Sequence, residues 1–385
     1  MTQPNVLFIT LRTFSLTGGI EKVCRGIGHA LQQMQDKGNI KFNMHSFYDT
    51  DTDERYVVRN NFRGFNGNRS KALYSSIKNG LKADIVILSH INLSPAGLAI
   101  KMLSPKTKVI LWSHGIEIWR ELNWIKRRFL MATDRIVAVS RFTAGTLTKM
   151  HHVNAAKVQA IPNGLDPYFN IPNLEDEKLK SESNKLKLSL LDNKKLSLQT
   201  KVFMALTRLG ITEKNKNYDK VIRLLGELKE EGNEAVYILC GKYNKEEYSR
   251  IMSIAKESGM ENNILLPGFI SDEELPLYYR FADAFVLPST KEGFGLAFIE
   301  AQACGLSVLC GNLDGSIEAV RTKEAGISVD PNNNIAIKAA LEEMINRTMP
   351  TKEKITIQNQ CVENFSFKTY SKNIKTLIEE LSSVN

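Results

Sequence analysis

Apolar runs of five to seven residues recur along the chain, at 6–10, 85–89, 108–113, 135–140, 202–206, 235–241, 284–288 and 307–311, and each gives way to Gly, Pro, Ser, His or Thr. They are too short for helices and are bounded by turn-forming residues, so they read as buried strands. Between them the apolar positions shift to helical spacing. Ile20, Val23, Ile27, Leu31 and Met34 recur at three- and four-residue steps, as do Val221, Leu224, Leu225 and Leu228. Alternation of near-continuous apolar strands with amphipathic helices predicts parallel sheets covered on both faces.

The rhythm breaks once. From about Asn170 to Gln199 the chain is rich in Lys, Asp, Glu, Asn and Ser, after Pro162-Asn163-Gly164 and before a fresh strand. A single core rarely grows past ~250–300 residues, and this chain has 385. Two domains follow: 1–168, then a connection over 169–199, then 200–366. The last stretch carries Tyr370, Ile374, Leu377, Ile378 and Leu381 on one helical face. It is expected to form a helix over 367–385 that returns to the first domain.

Charge changes this picture more than composition does. Residues 1–165 carry a net +13 and the remainder −4, within a total of +9. A basic half beside an acidic half points to an anionic partner for the first domain, and nucleic acid, an anionic lipid surface and a phosphorylated acceptor all fit. Trp119, Trp124, Arg120, Lys126, Arg127 and Arg128 fall in one short segment. Read as a helix, it places Ile118, Leu122, Ile125 and Phe129 on one face and could lie in a membrane interface. No apolar run is long enough to span a bilayer. The start of the chain lacks a basic, cleavable leader, and the five scattered cysteines form no Cys-x-x-Cys pair. Both features lead to the expectation of a cytoplasmic protein, peripheral on the inner membrane face.

Four constellations carry candidate chemistry. Gly18-Gly19 lies between the first strand and a helix, where the backbone can approach an anion and free helix amides can bind it. His114-Gly115 follows the 108–113 strand, at the carboxyl end where open parallel sheets bind ligands. Arg208 follows the 202–206 strand, with Lys214 and Lys216 nearby as a diphosphate clamp. The fourth is Glu292-Gly293-Phe294-Gly295-Leu296 followed by Glu300, a glycine-rich loop leading into a helix. The loop carboxylate can grip sugar hydroxyls, the amides can bind oxygen ligands, and the helix carboxylate can accept from a ribose diol. Gly26-Ile27-Gly28 lacks the third glycine of a dinucleotide fingerprint, which argues against a nicotinamide enzyme.

These motifs, in this order, resemble glycosyltransferase family 4, whose members are retaining enzymes of the two-Rossmann-domain (GT-B) class. The likeness also includes Val139-Ser140 with Thr143, Pro162-Asn163-Gly164-Leu165-Asp166, Asn217, Asp283 and the Glu292/Glu300 pair at its E-x(7)-E spacing. The resemblance implies two Rossmann-like domains facing a central cleft, acceptor bound by the first and nucleotide-sugar donor by the second. It implies donor contacts from Gly18, Gly19, Arg208, Lys216, Glu292, Gly293, Phe294, Gly295, Leu296 and Glu300, with His114, Glu292, Arg208 and Lys216 at the reaction centre. The Arg-to-Lys spacing also admits Lys214. Asp314-Gly315-Ser316-Ile317-Glu318 departs from the usual Gly-Gly-x-Pro-Glu, which leaves its role open.

The expectation is transfer of a sugar from a nucleotide-diphosphate donor, UDP preferred over GDP, to a glycan or lipid-linked acceptor with retention. That activity would serve cell-surface polysaccharide or glycolipid synthesis, with no essential metal, no other cofactor and no nucleic acid. Three alternatives stand beside it. A sugar-nucleotide epimerase can share the fold. A single-domain, metal-dependent (GT-A) transferase would use Asp49, Asp51 and Asp53 as ligands. A nucleic-acid-binding protein would use the basic half.

Overall fold

The computed structural model describes residues 3–192, 194 and 196–383. Positions 1, 2, 193, 195, 384 and 385, over which the expected domains and connection extend, lie outside the described residues. The chain forms two compact units, Met1–Pro167 with Phe365–Asn385, and Tyr168–Asn364.

The first unit contains strands β1 (Asn5–Thr10), β2 (Lys41–Ser46), β3 (Phe62–Gly64), β4 (Ile85–Leu88), β5 (Lys108–Ser113), β6 (Arg135–Ala138) and β7 (Val158–Ala160). They form one parallel sheet in the order β3-β2-β1-β4-β5-β6-β7. Helices α1 (Gly19–Asp36), α2 (Arg69–Gly80), α3 (Ser94–Leu103), α4 (Trp124–Ala132) and α5 (Arg141–His151) alternate with them. Val6, Phe8, Ile87, Ile110 and Val137 are fully buried, as strands covered on both faces require. The strand order reverses between β1 and β4, a switch point of the kind that opens a ligand crevice at the carboxyl ends of the strands.

The second unit opens with α6 (Glu177–Asp192) and continues β8 (Lys201–Leu206), α7 (Tyr218–Glu230), β9 (Ala235–Cys240), α8 (Lys245–Glu257), β10 (Ile264–Gly268) and α9 (Leu275–Phe281). It then adds β11 (Ala284–Leu287), α10 (Leu296–Ala303), β12 (Ser307–Gly311), β13 (Gly326–Val329), α11 (Asn334–Asn346) and α12 (Thr351–Phe365). The sheet order is β10-β9-β8-β11-β12-β13, all parallel, with its switch point between β8 and β11. Asp283, just before β11, accepts from the Val202 amide at 2.9 Å and so fastens the amino ends of β8 and β11.

The stretch expected to be a connection is built into the second unit. Ser183 of α6 donates to the Leu277 carbonyl of α9 at 3.1 Å. The Arg280 guanidinium donates to the carbonyls of Asn173, Leu174 and Asp176. A polar composition misled because α6 buries only Ser183 and Leu191. The final helix α13 (Phe367–Ser382) lies in the first unit and buries Tyr370, Ile374, Leu377, Ile378 and Leu381, packing on α1. Gly164 is the close-approach glycine here, because a Cβ at that position would strike the Tyr370 side chain. All five cysteines are free and buried.

The segment read as one helix from Trp119 begins only at Trp124. Asn123 caps α4, its side chain accepting from the Lys126 amide at 3.1 Å. Ile118 and Leu122 are buried from non-helical positions, while Trp124 is 68% exposed. The apolar positions therefore belong mostly to the core of the first unit, and the indole at the helix start does not.

Candidate active site

In the first unit the site residues gather at the carboxyl ends of β1, β4 and β5. His114 follows β5 and is buried. Its Nε2 lies 2.8 Å from the Ser89 carbonyl oxygen. A carbonyl can only accept, so the proton sits on Nε2 and the neutral ring offers Nδ1 as an acceptor. Burial pushes the His114 pKa down to about 4, against a smaller opposing pull from Ser89. His114 is thus neutral near neutral pH, with Nδ1 available as an acceptor. The Glu117 carboxylate holds this turn from within, accepting from the His114 amide at 2.6 Å and from Ser113 Oγ at 3.3 Å.

Two neighbours were not singled out from the sequence. His90 follows β4 and accepts from the Asn92 amide through Nδ1 at 3.0 Å. Burial lowers its pKa to about 4, with His114, Lys126 and Arg120 lowering it further and Glu117 opposing. The strand-end position that marks His114 marks His90 equally, and Glu117 lies three residues beyond His114.

Gly18 is the extended cap of α1 (φ −155°, ψ 171°) and offers no side chain to the first-turn amides. Those amides have no partner within the helix. The Glu21 carboxylate folds back over Gly18, where a Cβ would meet it. Asp49 shapes the loop before Gly18, accepting from the amides of Thr13 (2.7 Å) and Ser15 (2.8 Å) and from Ser46 Oγ (2.6 Å). Asp49 is buried, whereas Asp51 is exposed. Asp51 pairs with Arg59 and Asp53 with Arg55. Among the described residues no group of three or more His, Cys, Asp or Glu is arranged to hold a metal.

The remaining motif residues of this unit support its frame. Ser140 caps α5, accepting from the Thr143 amide at 3.1 Å. Asp166 accepts from the Tyr56 hydroxyl at 2.9 Å and 3.0 Å.

In the second unit the loops after β8 and β11 are stitched together. Thr290 donates its amide to the Asn215 carbonyl at 2.8 Å. The Asn217 side chain donates to the Pro288 carbonyl at 2.7 Å. Asn217 itself is left-handed (φ 60°), which turns the chain from a 3-10 stretch into α7. This brings Lys216 Nζ to 2.5 Å from Glu292 Oε1, with both side chains largely buried. Lys214 is exposed. The Arg208 side chain is 79% exposed and pairs with Glu213 at 3.0 Å.

Asp314 is the residue the sequence left without a role. Its buried carboxylate accepts from the Glu292 amide at 2.7 Å, from Ser289 Oγ at 3.2 Å and from the Ser316 amide at 2.9 Å. Ser316 Oγ bonds it as well. The Gly315 amide returns a bond to the Glu292 carbonyl at 2.9 Å. Burial raises the Asp314 pKa, the bonds from Ser316 pull it down, and the nearby Glu292 charge pushes it up. The departure at 314–318 is therefore a brace for the Glu292 loop.

Gly293 and Phe294 are buried, and Gly295 caps α10 at φ +85°, where a Cβ would also collide with the Phe298 ring. Leu296 starts the helix, and Glu300 falls in its second turn. Glu300 is 2% exposed, and the Tyr279 hydroxyl donates to its Oε2 at 3.4 Å. The unit thus joins Lys216, Glu292, a helix amino terminus and Glu300 at the switch point between β8 and β11.

Residues 192–360 match the family described as glycosyl transferases group 1, and residues 17–169 match glycosyltransferase family 4. The chain belongs to this glycosyltransferase family. Over 219 residues this family 4 chain is 24% identical to the D-inositol 3-phosphate glycosyltransferase of Salinispora tropica, a match covering 55% of this chain and 44% of that protein. Over 131 residues it is 33% identical to the O-antigen chain mannosyltransferase B of Escherichia coli, covering 34% of each. The matches thus span less than half the length of these curated relatives. Among solved structures, the Anabaena protein HepE in complex with UDP superposes with a TM-score of 0.77 at 17% identity, covering 98% of this chain and 100% of that one. A glycosyltransferase from Rickettsia africae gives 0.78 at 18%, covering 100% of both. These likenesses fix the fold as the two-Rossmann-domain class and overturn the single-domain alternative.

Proposed function

We propose that the chain transfers a sugar from a nucleotide-diphosphate donor to a glycan or lipid-linked acceptor with retention of configuration, in the synthesis of cell-surface polysaccharide or glycolipid. The observation that carries this reading is the buried Lys216–Glu292 pair beside the amino terminus of α10, with Glu300 in the second turn. Cleaving the anomeric bond leaves negative charge on the diphosphate. Preorganised positive groups at a leaving group are usually the largest catalytic term. Lys216, the amides at Gly295 and Leu296, and Arg208 swung from Glu213 supply them in this reading. Glu292 accepts from hexose hydroxyls, Glu300 from the ribose, and His114 Nδ1 from a further sugar hydroxyl. The acceptor's proton passes to the departing phosphate on the same face, which accounts for retention without a carboxylate nucleophile.

UDP is the proposed base carrier, supported by the UDP bound to HepE. The opposing support comes from a Mycobacterium tuberculosis relative named as a GDP-mannose-dependent mannosyltransferase, 25% identical over 267 residues. A thermal-shift and donor-hydrolysis screen across UDP-, GDP- and ADP-sugars tests both points. Stabilisation by one nucleotide class, lost in Glu292→Ala, is the expected result. No response to any nucleotide sugar refutes the reading, and conversion of the donor to its epimer without acceptor replaces it with an epimerase.

The first unit is further proposed to rest on an anionic membrane face. Support comes from its +13 charge over residues 1–165 and from exposed Trp124, Met102, Leu103 and Met131 on the adjoining helices α3 and α4. No helix of the described residues is long and apolar enough to cross a membrane. Co-sedimentation with vesicles of graded anionic content is expected to show binding at low salt. Its absence on fully anionic vesicles removes the idea.

A further inference from the structure

In the second unit, the amino ends of the strands enclose a cavity of about 80 Å³. Lys201 opens β8, Asp283 precedes β11, and Ser307 opens β12 in register with Ala284. Arg347, just after α11, and Lys354, in the first turn of α12, close the cavity from the helical side. The strands are all parallel, so this edge lies a full strand length from the loops that carry Glu292 and Asp314. For the five residues of β12 that length is about 13–17 Å. No residue placed in the transferase site lines this cavity.

Charge in the lining is one-sided. Lys201, Arg347 and Lys354 share it with a single carboxylate, Asp283. Asp283 is already engaged, its Oδ2 accepting from the Val202 amide at 2.9 Å and its Oδ1 lying 3.6 Å from Lys201 Nζ. Lys201 also donates to the Arg347 carbonyl at 2.9 Å, and Arg347 pairs with Glu353 through Nη2. The Lys354 ammonium makes no hydrogen bond or ion pair among the described residues. Burial pushes the Lys354 pKa below the ordinary 10.5; Asp283 opposes this, while Arg280, Lys201 and Lys187 add to the fall. Ser307 is an independent observation. It is 3% exposed, and its Oγ has no hydrogen-bond partner among the described residues. A buried hydroxyl left unpaired is costly. An unpaired hydroxyl and an unpaired ammonium on one small cavity are both met by an anionic acceptor.

Size and charge decide what fits. One water needs ~10–15 Å³ of such space, so the cavity takes a group of a few heavy atoms and excludes a nucleotide. Water would satisfy Ser307 but leave the Lys354 charge uncompensated. A phosphate satisfies both, because its oxygens point in several directions and charge-assisted bonds to Lys and Arg are the strong ones. Arg347 gives one nitrogen to Glu353 and keeps further N–H groups in its fork. The amino end of α12 adds positive potential beside Lys354. We propose that this cavity is a second anion site, taking one phosphate group, with Lys354 and Arg347 as its charge partners and Ser307 Oγ donating to it. Phosphate bound there ties the amino ends of β8 and β12 to the α11–α12 link, so occupancy stabilises the second unit from the edge opposite the donor loops. The proposal is independent of the transferase reading.

The test is calorimetric titration of the full chain with inorganic phosphate at fixed ionic strength, chloride serving as the control anion, with Tm followed in parallel. Saturable phosphate binding and a Tm that rises with phosphate are expected. Lys354→Gln and Ser307→Ala are each expected to weaken phosphate by about tenfold or more. In phosphate-free buffer Lys354→Gln is expected to melt no lower than the wild type, because it removes a desolvated charge held among other cations; a purely structural lysine would give a lower Tm. Lys216→Gln, at the donor site, is expected to bind phosphate as the wild type does. Glycerol 3-phosphate binding within about threefold of phosphate identifies a phosphomonoester as the ligand class, and its exclusion identifies the free anion. The proposal is overturned if the wild type does not bind phosphate, or if Lys354→Gln and Ser307→Ala bind it as the wild type does. It is also overturned if Lys216→Gln abolishes binding, which assigns the anion to the donor site. Nucleotide-sugar binding tests the transferase reading separately, so the two can fail apart.

Discussion

Replacing Asp314 with Asn changes one atom's identity and separates the brace from its charge. The carboxylate places Oδ2 before the Glu292 amide and Ser289, and Oδ1 before the Ser316 amide. An asparagine has a single acceptor oxygen. Serine hydroxyls can rotate, but one of the two backbone amides must then face an NH2 group. Losing a hydrogen bond to a charged partner costs about 1.5–3 kcal/mol. Relief of the repulsion between Asp314 and Glu292 offsets part of this, so the lower end is expected. For a unit of this size that lower end corresponds to a fall in Tm of about 3–6 °C. Glu292 is the residue displaced, so nucleotide-sugar affinity should fall about tenfold and nucleoside-diphosphate affinity less. Differential scanning calorimetry with titration of sugar nucleotide and of free nucleotide measures both. A variant that melts as the wild type does and binds nucleotide sugar within about twofold refutes the assignment of Asp314 as the brace.

Three further outcomes follow from the same geometry. Glu300→Ala should weaken nucleotide binding about tenfold to hundredfold, with Glu300→Gln as the fold-preserving companion because Tyr279 keeps a partner; unchanged affinity in calorimetry removes Glu300 from the site. Turnover should survive EDTA, since Lys216 and Arg208 are assigned to the leaving group and Asp49 is held by Thr13, Ser15 and Ser46; loss restored by Mn²⁺ would reassign the 49–53 loop. Burial holds His45 and His114 at about 4, below the ordinary 6.5, so the unfolded chain takes up their protons first as pH falls. Their contribution is whole above pH 6.5 and is lost progressively down to about pH 4, by roughly 2 kcal/mol each at pH 5. Urea midpoints that do not fall between pH 7 and pH 5 would contradict this.

The strands legible in the sequence are those buried on both faces: β1, β4, β5, β6, β8, β9, β11 and β12. Those that escaped are chiefly the edges, β3, β7, β10 and β13, which are short or interrupted by Pro267 and Gly268. Edge strands bury less and carry weaker patterns. β2 escaped because Lys41 and Asn43 are exposed and break its apolar run. In the site, residues with a motif could be named in advance. The parts that position them could not, because Asp314 meets Glu292 across 22 residues and Asp49 meets Thr13 across 36. The Arg208 conformation was equally beyond reach, since it depends on which carboxylate, Glu213, lies nearest.

The return of α13 sets an order of completion. The second unit is one continuous stretch, Tyr168–Asn364, and can bury its core as soon as that stretch has left the ribosome. The first unit starts earlier but lacks the helix that covers α1 and meets the Trp112 ring through Tyr370. Until that last segment is made, an apolar face beside Trp112 and Gly164 stays open to solvent and to other nascent chains. The unit whose synthesis begins first is therefore the last to be sealed. Premature termination anywhere in the final helix would leave a chain whose second unit folds normally while its first becomes the target for chaperones and proteases.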